Sequence, residues 1–331
     1  MSVAAGSAEG KPVGGRRFSP RSLLRHESVL LVLVVITLAM LAHQSDRFFT
    51  TDNLLNQGRL MAEVGFASLT MTFVIITGGI DLSVGSILGL GAIMLGVFWK
   101  NVGLPLPVAM VLAVAVGGVC GLVNGLIITR FRVPPLIATL ATLSLYRGLA
   151  EGISESRSVR GYPEWFFRLG QGDVFGVPTQ VWILVLAAIF GALVLSRTTF
   201  GRATYALGAN ETAARFSGVA VDRTKLLIYT ASGLAASLAS VIFVSRVSTT
   251  RSDMGTGLEL DAITAVVLGG TSIFGGRGTI AGTVLGLVLI QALRNGLALS
   301  GVKGDGTIMV IGAVLILAIL VSNMLGRDGD G

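Results

Sequence analysis

The residues are strung into about ten apolar runs, separated by short polar or glycine-containing breaks. A helix of roughly 20 apolar residues spans the ~30 Å hydrocarbon core of a bilayer. The runs fall at about 29–42, 60–77, 82–99, 105–128, 134–150, 181–195, 226–245, 260–275, 279–299 and 307–325. Composition agrees: 52% of the residues are apolar and 13% are charged, against roughly 25% charged in a soluble domain. The 45 glycines among 331 residues suit helices that approach one another closely in lipid. These features predict an all-α polytopic membrane protein of about ten transmembrane helices. A basic tail at 1–28 precedes one transmembrane domain at 29–325, and a short polar tail follows at 326–331.

The charge distribution orients the chain. A net charge of +7 in a soluble protein would suggest nucleic acid. Here the cations flank apolar runs, as the positive-inside rule describes, and no nucleic-acid partner is expected. Arg16, Arg17, Arg21 and Arg25 precede the first run, which reads as an uncleaved helix because no A-x-A-type cleavage site follows. With that end in the cytoplasm, the stretch 196–225 is cytoplasmic. It carries Arg197, Arg202, Arg215, Arg223 and Lys225 against Glu211 and Asp222, an excess of three positive charges. The stretch 154–180 lies outside with its charges balanced, and its Trp165, Phe166 and Phe167, with nearby Trp182, suit an interfacial belt. Both termini are then cytoplasmic. Cys120 is the only cysteine and His26 and His43 the only histidines, so neither a disulfide framework nor a metal site is expected.

Four stretches carry polar residues that an apolar chain must account for. In TGGIDLSVGS (77–86), Gly78 and Gly79 permit a turn and Asp81 or Ser83 can cap the next helix. A break of this kind beside a polar path is also where transporters place gates. Asn124 sits inside the fourth run, so it either makes an interhelical hydrogen bond or lines a path, as Thr139, Thr142 and Ser144 could also do. NETAARFSG (210–218) predicts a short cytoplasmic helix, capped by Asn210, with Glu211 in its first turn and Ala213, Ala214 and Phe216 as an apolar face. A plain connector needs no such helix, so a docking element for a cytoplasmic partner is the stronger reading. Glu259 and Asp261 precede the eighth run, either as acids favoured at a helix start or as outer-face contacts to an arriving partner or solute. Gly78, Gly79, Gly85 and Gly91 recur as Gly269, Gly270, Gly276 and Gly282 at an offset of 191 residues, a weak internal echo. The chain has no G-x-x-x-x-G-K-[ST] phosphate loop. GRGTIA (276–281) matches the dinucleotide fingerprint only formally, because no βαβ unit surrounds it.

Four segments together resemble the permease subunits of bacterial ABC importers for ribose, xylose, rhamnose and autoinducer-2. They are ITGGIDLSVGS (76–86), the stretch from Asn124 through VPPLIATLATLSLYRGLA to Ala150, GRATYALGANETAARFSGV (201–219), and ELDAITAVVLGGTSIFGGRGTIAGT (259–283). The resemblance covers about 45–300 and weakens after Gly301, where VKGDGT departs from the pattern. It implies an inner-membrane subunit that catalyses nothing itself, binds no cofactor and works beside an ATPase subunit that holds ATP. It further implies a periplasmic solute-binding protein and a second permease copy or paralogue. Gly208, Asn210, Glu211, Ala213, Ala214, Arg215 and Gly218 would couple to the ATPase. Gly79, Asp81, Ser83, Asn124, Thr139 and Thr142 would line the path or its gate. The competing class, an ion-gradient-driven secondary transporter, would want ionisable groups deep in the spans. Asp81, Arg147, Glu151 and Arg294 all fall near predicted run ends.

Overall fold

The computed structural model describes residues 20–316, apart from 156, 303, 305 and 315. The tail up to residue 19, the far part of the tenth run (317–325) and the tail at 326–331 lie outside the described residues. The described chain is helical almost throughout. It runs α1 (Pro20–Gln44), α2 (Thr51–Ile76), α3 (Val84–Gly96) with a π-helical extension Val97–Asn101, α4 (Leu106–Arg130), α5 (Pro135–Ser154) and α6 (Glu164–Gly170). A two-strand hairpin, β1 (Asp173–Val174) and β2 (Val177–Pro178), leads to α7 (Thr179–Arg197), α8 (Thr199–Ala209), α9 (Glu211–Phe216), α10 (Val221–Val247), α11 (Leu258–Leu268) and α12 (Ile280–Leu299).

Among the described residues, six helices are long and apolar enough to cross a membrane: α2, α3 with its extension, α4, α7, α10 and α12. This is fewer than the predicted ten. Leu30–His43 within α1 is shorter. Helix α5 has 20 residues, but Arg147 and Glu151 dilute its apolar character. The predicted eighth span, 260–275, is a correction. It stops at Leu268 and forms a helix of 11 residues, roughly 16 Å long and about half a bilayer. The cause is the Gly269–Gly270 pair, where Gly270 adopts φ +87° and ends the helix. The second span begins at Thr51, well before its predicted start near 60. Pro135 occupies the first turn of α5, where its fixed φ suits a helix start and its missing N–H leaves no gap.

Contacts sort the connections into two ends. At one end Thr279 donates to Glu27 (2.5 Å), Gly276 N–H donates to Ile76 O (2.8 Å), and Tyr205 donates to Gly278 O (2.6 Å). At the other end Thr250 N–H donates to Val159 O (3.0 Å), Gln171 donates to Arg246 O (2.9 Å), and Arg59 pairs with Asp173 (2.8 Å). The hub is α10, which packs along α4 at backbone distance. A Cβ added to Gly117 would come within 2.4 Å of Gly233 O, and one on Gly121 within 2.2 Å of Tyr229 O. Close approach through small residues replaces the hydrophobic drive that lipid does not supply. The outward faces of α4, α5 and α7 carry exposed Val111, Val119, Leu140, Leu186 and Phe190, a surface suited to lipid. The predicted aromatic belt is divided. Trp165 and Trp182 are exposed, but Phe166 is fully buried beneath Tyr162, with ring centroids 5.1 Å apart. Its burial follows from α6 folding back onto α10, where Ser245 donates to Phe166 O (2.5 Å).

Candidate functional site: a helix break beside a two-helix loop

Helix α2 ends in a Schellman turn. Gly78, at φ +77°, donates to Ile75 O (2.9 Å) and Gly79 donates to Val74 O (3.1 Å). The same pattern closes α11, where Gly270 donates to Val267 O (2.9 Å) and Thr271 donates to Val266 O (3.2 Å). The two turns therefore correspond at an offset of 192, pairing Gly78 with Gly270, and not at the 191 that matching glycines suggested. Only the glycine at the left-handed position is required by the turn, while the chain's other glycines coincide through abundance.

Past the turn, Asp81 is fully buried. One carboxylate oxygen accepts from Ser83 N–H (3.0 Å) and the Ser83 hydroxyl (2.6 Å). The other accepts from the Ser232 hydroxyl of α10 (2.8 Å). All three donors are neutral. Ser83 stands at the N-cap of α3 but makes no capping bond with its side chain. Neither residue caps α3 in the simple way expected: Asp81 instead holds the N–H and hydroxyl of the N-cap residue itself, as an Asx-type turn does.

The network continues outward. Asn124 of α4 donates to the Ser83 hydroxyl (2.7 Å), and Tyr146 of α5 donates to Asn124 Oδ1 (3.2 Å) and Cys120 O (3.0 Å). Asn124 thus makes interhelical hydrogen bonds. Thr139 of α5 donates to Ile80 O (3.1 Å), tying the break to a third helix, and Thr142 donates to Thr139 O (3.3 Å) within α5. Gly79 lies under Tyr229, whose hydroxyl would be 2.5 Å from a Cβ there. The sequence reading missed Ser232, Tyr146 and Tyr229. The signal available for the first was a serine amid the small residues ASGLAAS of the seventh apolar run. Asp81, Ser83, Asn124 and Thr139 are all at 0% exposure, so these residues are sealed from solvent in this conformation.

Glu259 and Asp261, expected at a helix start, stand in the first turn of α11. Glu259 packs on the first turn of α3, where a Cβ on Gly85 would meet its Oε2 at 2.2 Å. Asp261 pairs with Arg294 of α12. Arg147, placed near a run end by sequence, reaches the carbonyls of Ser252, Met254 (2.9 Å) and Gly85 (3.4 Å). It ties the stretch before α11 to the start of α3.

The loop 198–220 forms two short helices. Thr198 caps α8 by accepting from Gly201 N–H (3.2 Å), and Asn210 caps α9 by accepting from Ala213 N–H (2.9 Å). Gly218, at φ +83°, ends α9. Ala214 is buried with Leu207 and Val221, while Phe216 is 88% exposed. The predicted single apolar face of Ala213, Ala214 and Phe216 is thus split: Ala214 anchors the helix inward, and Ala213 and Phe216 face out. Ion pairs fix α9 to the start of α10: Lys225 with Glu211 (2.7 Å) and Arg215 with Asp222 (2.7 and 3.0 Å). The Asp222 bonds hold the Arg215 guanidinium more firmly protonated than usual. Gly208 lies closest to backbone atoms. A Cβ there would lie 1.7 Å from Ile76 O and 2.5 Å from Gly276 N. The end of α8 is therefore wedged between the α2 turn and the α11–α12 loop.

Residues 53–319 match the family described as "Branched-chain amino acid transport system / permease component". The chain is 41% identical over 319 residues to "Ribose import permease protein RbsC" of Escherichia coli (strain K12), covering 94% of this chain and 98% of the relative. It is 42% identical over 295 residues to the protein of that name from Bacillus subtilis (strain 168), covering 88% and 90%. It is 35% identical over 300 residues to "Autoinducer 2 import system permease protein LsrD" of Photorhabdus luminescens, covering 89% and 90%. No solved structure matches. A match over most of the chain, on a polytopic helical fold, makes this protein a multi-pass membrane permease of the branched-chain amino acid transport system permease family.

Proposed function

We propose that the chain is the membrane-spanning subunit of an ATP-driven importer that carries a sugar or sugar-like solute across the bacterial inner membrane. The observation that carries the reading is the wedge at Gly208, which joins the docking helix α9 to the α2 turn beside Asp81. The named relatives import ribose or autoinducer-2. The basic N-terminal segment and the excess positive charge of 196–225 support a cytoplasmic α8–α9 end. On this reading the six long helices, α1 and α5 are membrane-associated and α11 enters partway.

In this scheme a separate cytoplasmic subunit binds and hydrolyses ATP. A periplasmic binding protein delivers solute, and a second permease copy or paralogue completes the pore. ATPase closure moves α9, whose ion pairs carry the displacement to α10 and whose neighbour α8 presses on both glycine turns. The Asp81 network then breaks or re-forms as α3 and α10 shift, opening the sealed segment. Each state needs its own favourable contacts, since a partner that binds both equally shifts nothing. A second reading, an ion-gradient-driven transporter, is favoured by one observation: Asp81 is a buried carboxylate with no cationic partner among the described residues.

Co-purification tests the proposal. The ATPase encoded with this chain should be retained by the wild type and lost with Ala214→Asp, which charges the buried anchor of α9. Failure of the wild-type chain to retain an ATPase overturns the reading.

A further inference from the structure

The loop between α11 and α12 displays an aromatic side chain that the docking helix does not explain. Phe274 is 79% exposed. Covering such a side chain in a partner is worth roughly tenfold to hundredfold in affinity. The loop holding it is braced. Ser272 donates to Arg277 O (3.0 Å), Gly275 donates to Ser272 O (2.9 Å), and Gly276 donates to Ile76 O (2.8 Å). Tyr205 donates to Gly278 O (2.6 Å). Burial pushes its phenol up to about 12, so it remains a donor at physiological pH. A Cβ on Gly276 would lie 3.2 Å from Cα of Ala209, the residue before the α9 cap. Phe274 is thus fixed two residues from a point that rests on the docking element.

We infer that Phe274 is a second docking contact for the cytoplasmic ATPase, which seats on Phe216 of α9 and Phe274 of the α11–α12 loop together. The inference rests on the ATPase-coupled reading above. Continuity of the two loops argues for one partner covering both. The setting argues against lipid: Arg202, Asn210, Thr212 and Arg277, on the same two connecting stretches, are exposed. The Glu27–Thr279 bond keeps this loop at the end where α1 begins, the part of the helix whose sequence holds Arg21 and Arg25. Contact at Phe274 adds a route from the ATPase to the α11 turn that does not pass through α9.

Site-specific photocrosslinking in the assembled transporter, in membranes, tests this. A p-benzoylphenylalanine is placed at position 216 or 274. ATPase adducts from both positions are expected. Phe274→Ala should also lower ATPase affinity roughly tenfold while leaving the gel-filtration profile of the isolated chain unchanged. An ATPase adduct at 216 with only lipid adducts, or none, at 274 overturns this inference and leaves the docking reading standing. No ATPase adduct at either position, with the ATPase present, overturns the docking reading and this inference with it.

Discussion

Replacing Asp81 separates the role of its hydrogen bonds from the role of its charge. Asp81→Ala strands the Ser83 N–H and the Ser83 and Ser232 hydroxyls in a site with no solvent access. A buried donor left without an acceptor costs about 1–3 kcal/mol. Hydroxyls can rotate to other acceptors, but the backbone N–H cannot, so a loss of about 2–4 kcal/mol is expected. Asp81→Asn keeps one oxygen for both Ser83 donors. Its amide can donate to Ser232, whose hydroxyl accepts as readily as it donates, and the loss should be about 1 kcal/mol or less. The assay pairs thermal unfolding of the detergent-purified chain with ATP-driven uptake in proteoliposomes. The alanine variant should lose stability and uptake together, and the asparagine variant should keep most of both. An asparagine variant that folds and assembles normally yet carries nothing would refute the hydrogen-bond account and assign the work to the negative charge.

Gly208→Ala should abolish uptake, because a methyl group has no room beside Ile76 O; normal uptake would show that the wedge is not required. Glu211→Lys sets a cation against Lys225 and Arg215 and should reduce ATPase co-purification without lowering the yield of the chain. Arg246→Ala leaves the buried Glu63 carboxylate without its partner, which should destabilise the fold by about 3–5 kcal/mol. Replacing Glu63 with Gln in the same chain should restore much of that loss in thermal unfolding.

The chain's division into apolar runs was legible because lipid makes a long hydrophobic stretch nearly sufficient for a helix. The short helix α9 was equally legible from local chemistry, since Asn210 and the sequence after it specify a cap and a first turn. The half-length of α11 was not. Hydropathy averages across Gly269–Gly270, while the turn depends on one residue adopting positive φ. The offset of 191 failed for the same reason. At the break, Asp81 and Ser83 stood out as polar residues in an apolar context. Their partners Ser232 and Asn124, and Tyr146 beyond Asn124, lie far away in sequence, and only the packing of α3 against α4, α5 and α10 brings them together. Glu259 was legible as a helix-start acid, but its packing against Gly85 of α3 was not, since no local pattern encodes that contact.

The most direct measurement is solute uptake by proteoliposomes holding this chain, its ATPase and its binding protein, with the ion gradient and ATP varied independently. The account predicts uptake that requires ATP and persists when ionophores collapse the gradient. Uptake that proceeds without the ATPase and stops with the gradient would contradict it.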